Sequence, residues 1–131
     1  MSRPRMNVPT PVLGAPDPQV LGTFYAKLLD WNVVEHEADW VAIEAPDGTC
    51  GITRHGMSFQ REQHWVRPVW PAVSGQQQMT MHLDISVDNL EASIALALEL
   101  GATIAEFQPQ EQNRVMLDPA GNPFCLGEWV G

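Results

Sequence analysis

Apolar positions recur along the chain in two blocks of one kind. In the first, 8–14 reads as a strand, although Pro9 and Pro11 make it a poor central one. Asp17 can cap a helix, with Pro18 at its first position. Leu21, Phe24, Tyr25 and Leu28 then recur at helical spacing. Two strands follow at 31–37 and 39–45, a hairpin signal at Asp47-Gly48, and a fourth strand at 51–55. The second block opens with a strand at 79–87. Asp88 is the expected cap, with Glu91 three residues later as in a capping box. Leu90, Ile94, Ala97 and Leu98 make the helix stripe, and short strands are predicted at 103–107, 113–118 and 123–129.

The two blocks are in register. The helix-opening Asp17 and Asp88 are 71 residues apart, and the turn glycines of Ala45-Pro-Asp-Gly48 and Asp118-Pro-Ala-Gly121 are 73 apart. Two landmarks at nearly equal offset imply a duplicated βαβββ unit. The expected organisation is a single α+β domain over 1–131, with module one at 8–56, a connecting loop at 57–78 and module two at 79–129. The loop lacks periodicity, yet it carries Phe59, Trp65 and Trp70, and Arg61, His64 and Arg67 against the single acid Glu62. Two readings stand side by side: a strap that buries its tryptophans, or a lid over a pocket for an aromatic or anionic ligand.

Composition narrows the partners. A chain of 131 residues, 44% hydrophobic and 18% charged, is ordinary globular material. Sixteen acids against seven Lys plus Arg give a net charge of −9. Such a field repels phosphate backbones and anionic membrane surfaces, so neither nucleic acid nor a membrane is an expected partner. No apolar run approaches the ~20 residues of a membrane span, and the N-terminus shows no apolar signal-peptide core. Cys50 and Cys125 form no Cys-x-x-Cys motif, so reduced thiols and a cytoplasmic location are expected.

Three stretches carry a family resemblance: His82-Leu-Asp-Ile-Ser-Val-Asp88, the helix ending Leu-Glu-Leu-Gly-Ala102, and Leu117-Asp-Pro-Ala-Gly-Asn-Pro-Phe-Cys-Leu126. Their first-block counterparts are Ala15-Pro-Asp-Pro18, Phe24-Tyr25 and Leu28-Leu-Asp-Trp31. Together they resemble the vicinal oxygen chelate superfamily, which holds glyoxalase I, bleomycin-resistance-type binding proteins and extradiol dioxygenases. The small glyoxalase-like branch is the nearest in pattern. The resemblance implies two βαβββ modules forming a curved mixed sheet around a concave cavity, with helices on the outer face. Superfamily members often pair, so a homodimer is compatible with it.

In the superfamily's metal-using members, ligands come from the first and last strands of each unit. The resemblance places these at His82 and Cys125 in the second unit and, by repeat offset, at Pro11 and Ile52 in the first. Pro11 and Ile52 offer no side-chain donor, leaving two ligands where a catalytic zinc site keeps about three. No cofactor is therefore expected, and a divalent metal on His82 and Cys125 is the lesser expectation. The alternative for His82 is a hydrogen-bonded wall residue, and for Cys125 a small buried apolar one.

Strand alternation sketches the rest of the pocket. Leu83, Ile85 and Val87 should meet the helix, leaving His82, Asp84 and Ser86 on the concave side. The same reasoning puts Trp40, Glu44, Ile52, Arg54, Arg114, Met116 and Cys125 on that side, with Trp65 and Trp70 added from the loop. Arg54 or Arg114 either clamps an anionic group or neutralises Glu44 or Asp84. The expected function is binding of a small, partly aromatic or anionic organic molecule without a catalytic metal. The alternative is an enzyme, either a metal-dependent lyase or dioxygenase, or a metal-free one with His82 as acid–base, since an imidazole titrates near neutral pH.

Overall fold

A computed structural model describes residues 3–46 and 56–128, in two compact units that meet in sequence between Glu62 and Gln63. Unit one contains β1 (Val12–Ala15), α1 (Pro18–Leu29), β2 (Asn32–His36), β3 (Trp40–Glu44) and β4 (Gly56–Arg61). Unit two contains β5 (Asp84–Ser86), α2 (Leu90–Glu99), β6 (Thr103–Ile104), β7 (Asn113–Leu117) and β8 (Pro123–Gly127). Each unit is a four-stranded mixed sheet with one helix, in the orders β1-β4-β3-β2 and β5-β8-β7-β6. In each, the first and last strands pair in parallel and the other neighbours are antiparallel. The duplicated βαβββ pattern is therefore the fold.

Local chemistry explains the helix ends. Asp17 caps α1 as expected, its Oδ1 accepting from the backbone of Gln19 at 3.0 Å, and Pro18 fills the first turn. The cap of α2 is Asn89 and not Asp88. Its Oδ1 accepts from Ala92 N at 3.0 Å. Starting one residue later moves Glu91 out of the reciprocal capping position, although it still lies in the acid-favouring first turn. Both helices close alike, with Trp31 N donating to Ala26 O and Ala102 N to Ala97 O, each at 2.9 Å.

The core of unit one is a single layer. α1 sets Leu21, Phe24 and Tyr25 against the buried face of Val41, Ile43, Met57 and Phe59. Tyr25 stacks on Phe59 at 5.8 Å between ring centroids. In unit two Met116, Phe124 and Leu126 are fully buried, but α2 contributes only Ala97. Leu98 was expected to complete that stripe and is exposed instead, as is Leu96.

A strand of unit one occupies residues expected in the connecting loop. Residues 51–55, with Ile52 and Arg54, lie outside the described residues, and the strand found is Gly56–Arg61. Five residues assigned to the connecting loop, 57–61, thus belong to the sheet, and unit one extends past residue 56 to Glu62. Arg61 is part of this strand's anchorage. Its guanidinium donates to Asp39 Oδ1 (2.7 Å), Pro16 O (2.7 Å) and Ala38 O (2.9 Å), tying β4 to the end of β1 and to the β2–β3 turn. It is a structural clamp within unit one and not a lid cation.

Candidate functional site

The second unit gathers the chemistry. Asp84 stands directly opposite Cys125 in the parallel β5–β8 pair, so both side chains leave one face of the sheet. Cys125 N donates to Leu83 O at 2.9 Å, which extends the ladder backwards and puts His82 on the same face two residues before Asp84. His82 Nε2 lies 3.2 Å from Asp84 Oδ1. One donor atom from each of His82, Asp84 and Cys125 falls within 4.8 Å of the others. Leu83, Ile85 and Val87 are half-buried while His82, Asp84 and Ser86 are exposed, which is the alternation expected of this strand.

These three residues line a cleft of about 330 Å³ with Trp70, Met79 and Asn113. Trp70 packs against Phe107 at 6.1 Å between centroids, and its Nε1 donates to Phe107 O at 3.2 Å. Asn113 is 7% exposed. Its Nδ2 donates to Gln110 Oε1 at 2.9 Å, while Oδ1 is buried without a hydrogen-bond partner among the described residues. Sequence reasoning missed Asn113, Met79 and Gln110. The signal for Asn113 was an amide on a strand otherwise rich in apolar residues. Burial, then the charge of Asp84 and its hydrogen bond, push the Cys125 thiol above its ordinary pKa. It is therefore a neutral donor to Asp84 and not an activated thiolate.

Several expected wall residues lie elsewhere. On β7 the phase is reversed: Val115 faces Cys125 across the pair and lines the cleft, whereas Met116 pairs with Phe124 and is 0% exposed. Arg114 shares the parity of Met116, pairs with Leu126, and does not line the cleft. Neither Arg114 nor Met116 thus lines this cleft. Trp65 is also absent from the cleft wall; its Nε1 donates to Ala120 O at 3.1 Å, the strap role. Trp70 is the loop tryptophan that reaches the site.

Unit one carries its own cleft of about 440 Å³, lined by Thr10, Ala42, Glu44, Ser58 and Glu35 among others. Glu44 thus lines this cleft of unit one, while Trp40, on the same strand, is not among its described lining residues. Strand register identifies the true counterparts of the unit-two donors. Ser58 pairs with Val12 and Ala42 as Cys125 pairs with Asp84 and Val115. The position matching Cys125 is therefore Ser58, not Ile52, and the one matching His82 is Thr10, not Pro11. The offset across the last strands differs because β4 begins later than the hairpin signal implied. The two hydroxyls lie 3.3 Å apart, weak donors where unit two has an imidazole and a thiol.

The family model for the glyoxalase-like domain matches residues 11–127. The chain belongs to the glyoxalase-like domain family. No curated protein sequence matches it. The glyoxalase-like fold recurs among solved structures, at identities that speak for fold alone. A glyoxalase family protein from Enterococcus faecalis is 20% identical, with a TM-score of 0.60 over 93% of this chain and 97% of that one. A glyoxalase/bleomycin resistance protein/dioxygenase family enzyme from Burkholderia phytofirmans PsJN is 15% identical, with a TM-score of 0.60 over 88% and 92%. The bleomycin-binding protein of Streptomyces verticillus, solved with copper(II)-bleomycin, is 16% identical, with a TM-score of 0.57 over 98% and 100%. The superfamily resemblance of the sequence is thereby borne out. No helix among the described residues is long and apolar enough to cross a membrane.

Beside His82 and Cys125, the two positions that the resemblance implies, Asp84 places a third potential donor atom within 4.8 Å; a divalent ion held there would act as a Lewis acid toward an oxygen of its guest.

Proposed function

We propose that this glyoxalase-like protein binds a small, partly aromatic organic molecule in the unit-two cleft. The observation that supports this most is the pairing of an aromatic wall, Trp70, with a polar floor of His82, Asp84 and Asn113 around about 330 Å³. That is the size and anatomy of a small-molecule site. The unpartnered Oδ1 of Asn113 favours a guest that brings an N–H or O–H donor, because a buried acceptor left unpaired costs about 1–3 kcal/mol. Among the described residues that line this cleft there is one carboxylate, Asp84, and no Lys or Arg, so a neutral or cationic guest suits it better than an anion. The bleomycin-binding neighbour supports a binding role at the level of the fold.

The test is a thermal-shift screen of phenols, aromatic amines and aromatic amides, followed by calorimetry on hits. Trp70→Ala should weaken a hit by about tenfold or more, as loss of an aromatic anchor does, whereas Trp65→Ala should lower the melting temperature and spare affinity. Equal affinity in wild type and Trp70→Ala would refute the assignment of this cleft.

One contact favours a second reading, acid–base catalysis. Asp84 holds the His82 imidazole at 3.2 Å, the arrangement of a base and its orienting carboxylate. Under this reading His82→Ala abolishes turnover of a screened hit and leaves its affinity within a few-fold. No turnover by wild type of any tight-binding hit would remove it.

A further inference from the structure

We infer that the unit-two cleft takes a two-headed aromatic guest, a phenol with an aminoalkyl group para to its hydroxyl, whose hydroxyl is read by Asn113 and whose ammonium is held by Asp84. The inference rests on the small-molecule reading of this cleft and adds the guest's chemical class and its direction. Strand register sets the order of the cleft floor. Asn113 and Val115 share one face of β7, Val115 pairs with Cys125, and Cys125 pairs with Asp84. The floor thus runs from an amide, over the buried Val115, to a thiol and a carboxylate, and Trp70 lines the same cleft.

The two ends differ in their access to water. Asn113 is 7% exposed, and its Oδ1 has no partner among the described residues. Gln110 Oε1 accepts from Asn113 Nδ2 at 2.9 Å, which fixes the amide with its acceptor free. A neutral hydroxyl can enter this dry end, whereas an ammonium would lose its hydration there at large cost. The side chain of Asp84 is 59% exposed. A carboxylate has about four lone-pair sites, so beside the Cys125 thiol and His82 it can still accept from an ammonium that keeps part of its water. No Lys or Arg among the described lining residues opposes that charge. The two acceptors rise from backbone points two strands and two residues apart, about 12 Å. Two hydrogen bonds of about 2.8 Å then leave about 6–7 Å between the guest's donors, the span of a para-disubstituted ring with a short arm.

The experiment is calorimetric titration of the full chain with three probes: 4-hydroxybenzylamine, benzylamine and 4-methylphenol. The hydroxyl should tighten binding about tenfold over benzylamine, as satisfying a buried orphan acceptor does. Asn113→Leu should bring that ratio to about one. Gln110 is exposed, so Gln110→Ala keeps the fold, frees the Asn113 amide to turn and should reduce the ratio several-fold. Asp84→Asn should weaken both amines and spare 4-methylphenol. An unchanged circular dichroism spectrum admits each variant to the comparison, and Gln110→Ala decides if Asn113→Leu does not fold. Trp70→Ala should weaken all three probes. Binding indifferent to Trp70 would refute the reading of the cleft and the inference with it. Trp70-dependent binding with a ratio of one in wild type, or with a ratio unchanged in the folded Asn113 and Gln110 variants, would overturn the inference alone. Failure of 4-hydroxybenzylamine to bind at millimolar concentration would likewise overturn the inference and leave the cleft to other aromatic guests.

Discussion

Asp84 accepts a hydrogen bond from the thiol of Cys125, its direct partner across a parallel strand pair. Burial acts first and the carboxylate second, and both favour the neutral thiol. The folded chain therefore holds this proton more tightly than the unfolded chain does. That contribution to stability is present below the ordinary thiol pKa and is lost as pH rises through the folded value. In metal-free protein the rate of Cys125 alkylation should rise at a higher pH than for a free thiol. Asp84→Asn should move the profile part of the way back. Mass-spectrometric alkylation rates from pH 6 to 10 would check it, and a profile at or below the free-thiol range would contradict it.

Arg61 binds three oxygens on two segments of unit one, the end of β1 and the β2–β3 turn. Its partner Asp39 is largely exposed, so the ion pair itself adds little. The bonds to the carbonyls of Pro16 and Ala38 matter more. Arg61→Ala should cost about 1–2 kcal/mol. Arg61→Lys should recover little of it, because an ammonium cannot span the fork. Urea melts of the two variants would decide.

Gly22 sits where α1 comes closest to the sheet. A Cβ there would meet Val41 Cγ1 at 2.5 Å and Phe59 Cδ2 at 3.2 Å. Gly22→Ala gains about 1 kcal/mol of helix propensity, but overpacking of a rigid core costs about 1–3 kcal/mol. The β-branched Val41 has little freedom to withdraw. We expect a net loss, read as a lower urea midpoint at unchanged slope. A raised midpoint would show that the helix can lift.

Asp118 is buried in the turn between β7 and β8, where its Oδ1 accepts from Ala120 N at 2.9 Å and Asn122 N at 3.0 Å. The turn also needs Gly121 at φ 88°, with Arg67 packed over it. Asp118→Ala strands two backbone donors and should cost about 2–4 kcal/mol. Asp118→Asn keeps one acceptor and should cost less. Thermal melts would rank the two, and equal losses would show that charge, not hydrogen bonding, holds the turn.

What could be read from the sequence was what local chemistry decides. Asp17 followed by Pro18 declares a helix start by itself, and His82, Leu83, Asp84 and Ile85 alternate cleanly because one face of β5 is wet. The failures were of two kinds. Met57, Ser58, Phe59 and Gln60 alternate apolar with polar, but the run is short and the Asp47-Gly48 hairpin signal set the expected strand earlier, so these residues read as loop. On β7 three apolar residues in succession, Val115, Met116 and Leu117, leave the phase open, and only pairing with β8 puts Val115 beside Cys125. Asp88 and Asn89 are both good caps, and one residue of difference was not decidable locally. His82 and Cys125 were legible through their motif. Their union with Asp84 is a matter of register between strands 41 residues apart, which no local pattern reports.

The duplication also makes unit one a blank template. Val12, Ser58 and Thr10 hold the backbone addresses that Asp84, Cys125 and His82 hold in unit two, around a cleft of comparable size. Transplanting the donor chemistry therefore amounts to three side-chain edits, Thr10→His, Val12→Asp and Ser58→Cys, on strands already paired in the required register. The fold thus offers a protein engineer two sets of strand addresses in matching register, one carrying imidazole, carboxylate and thiol and the other only hydroxyls and an isopropyl group.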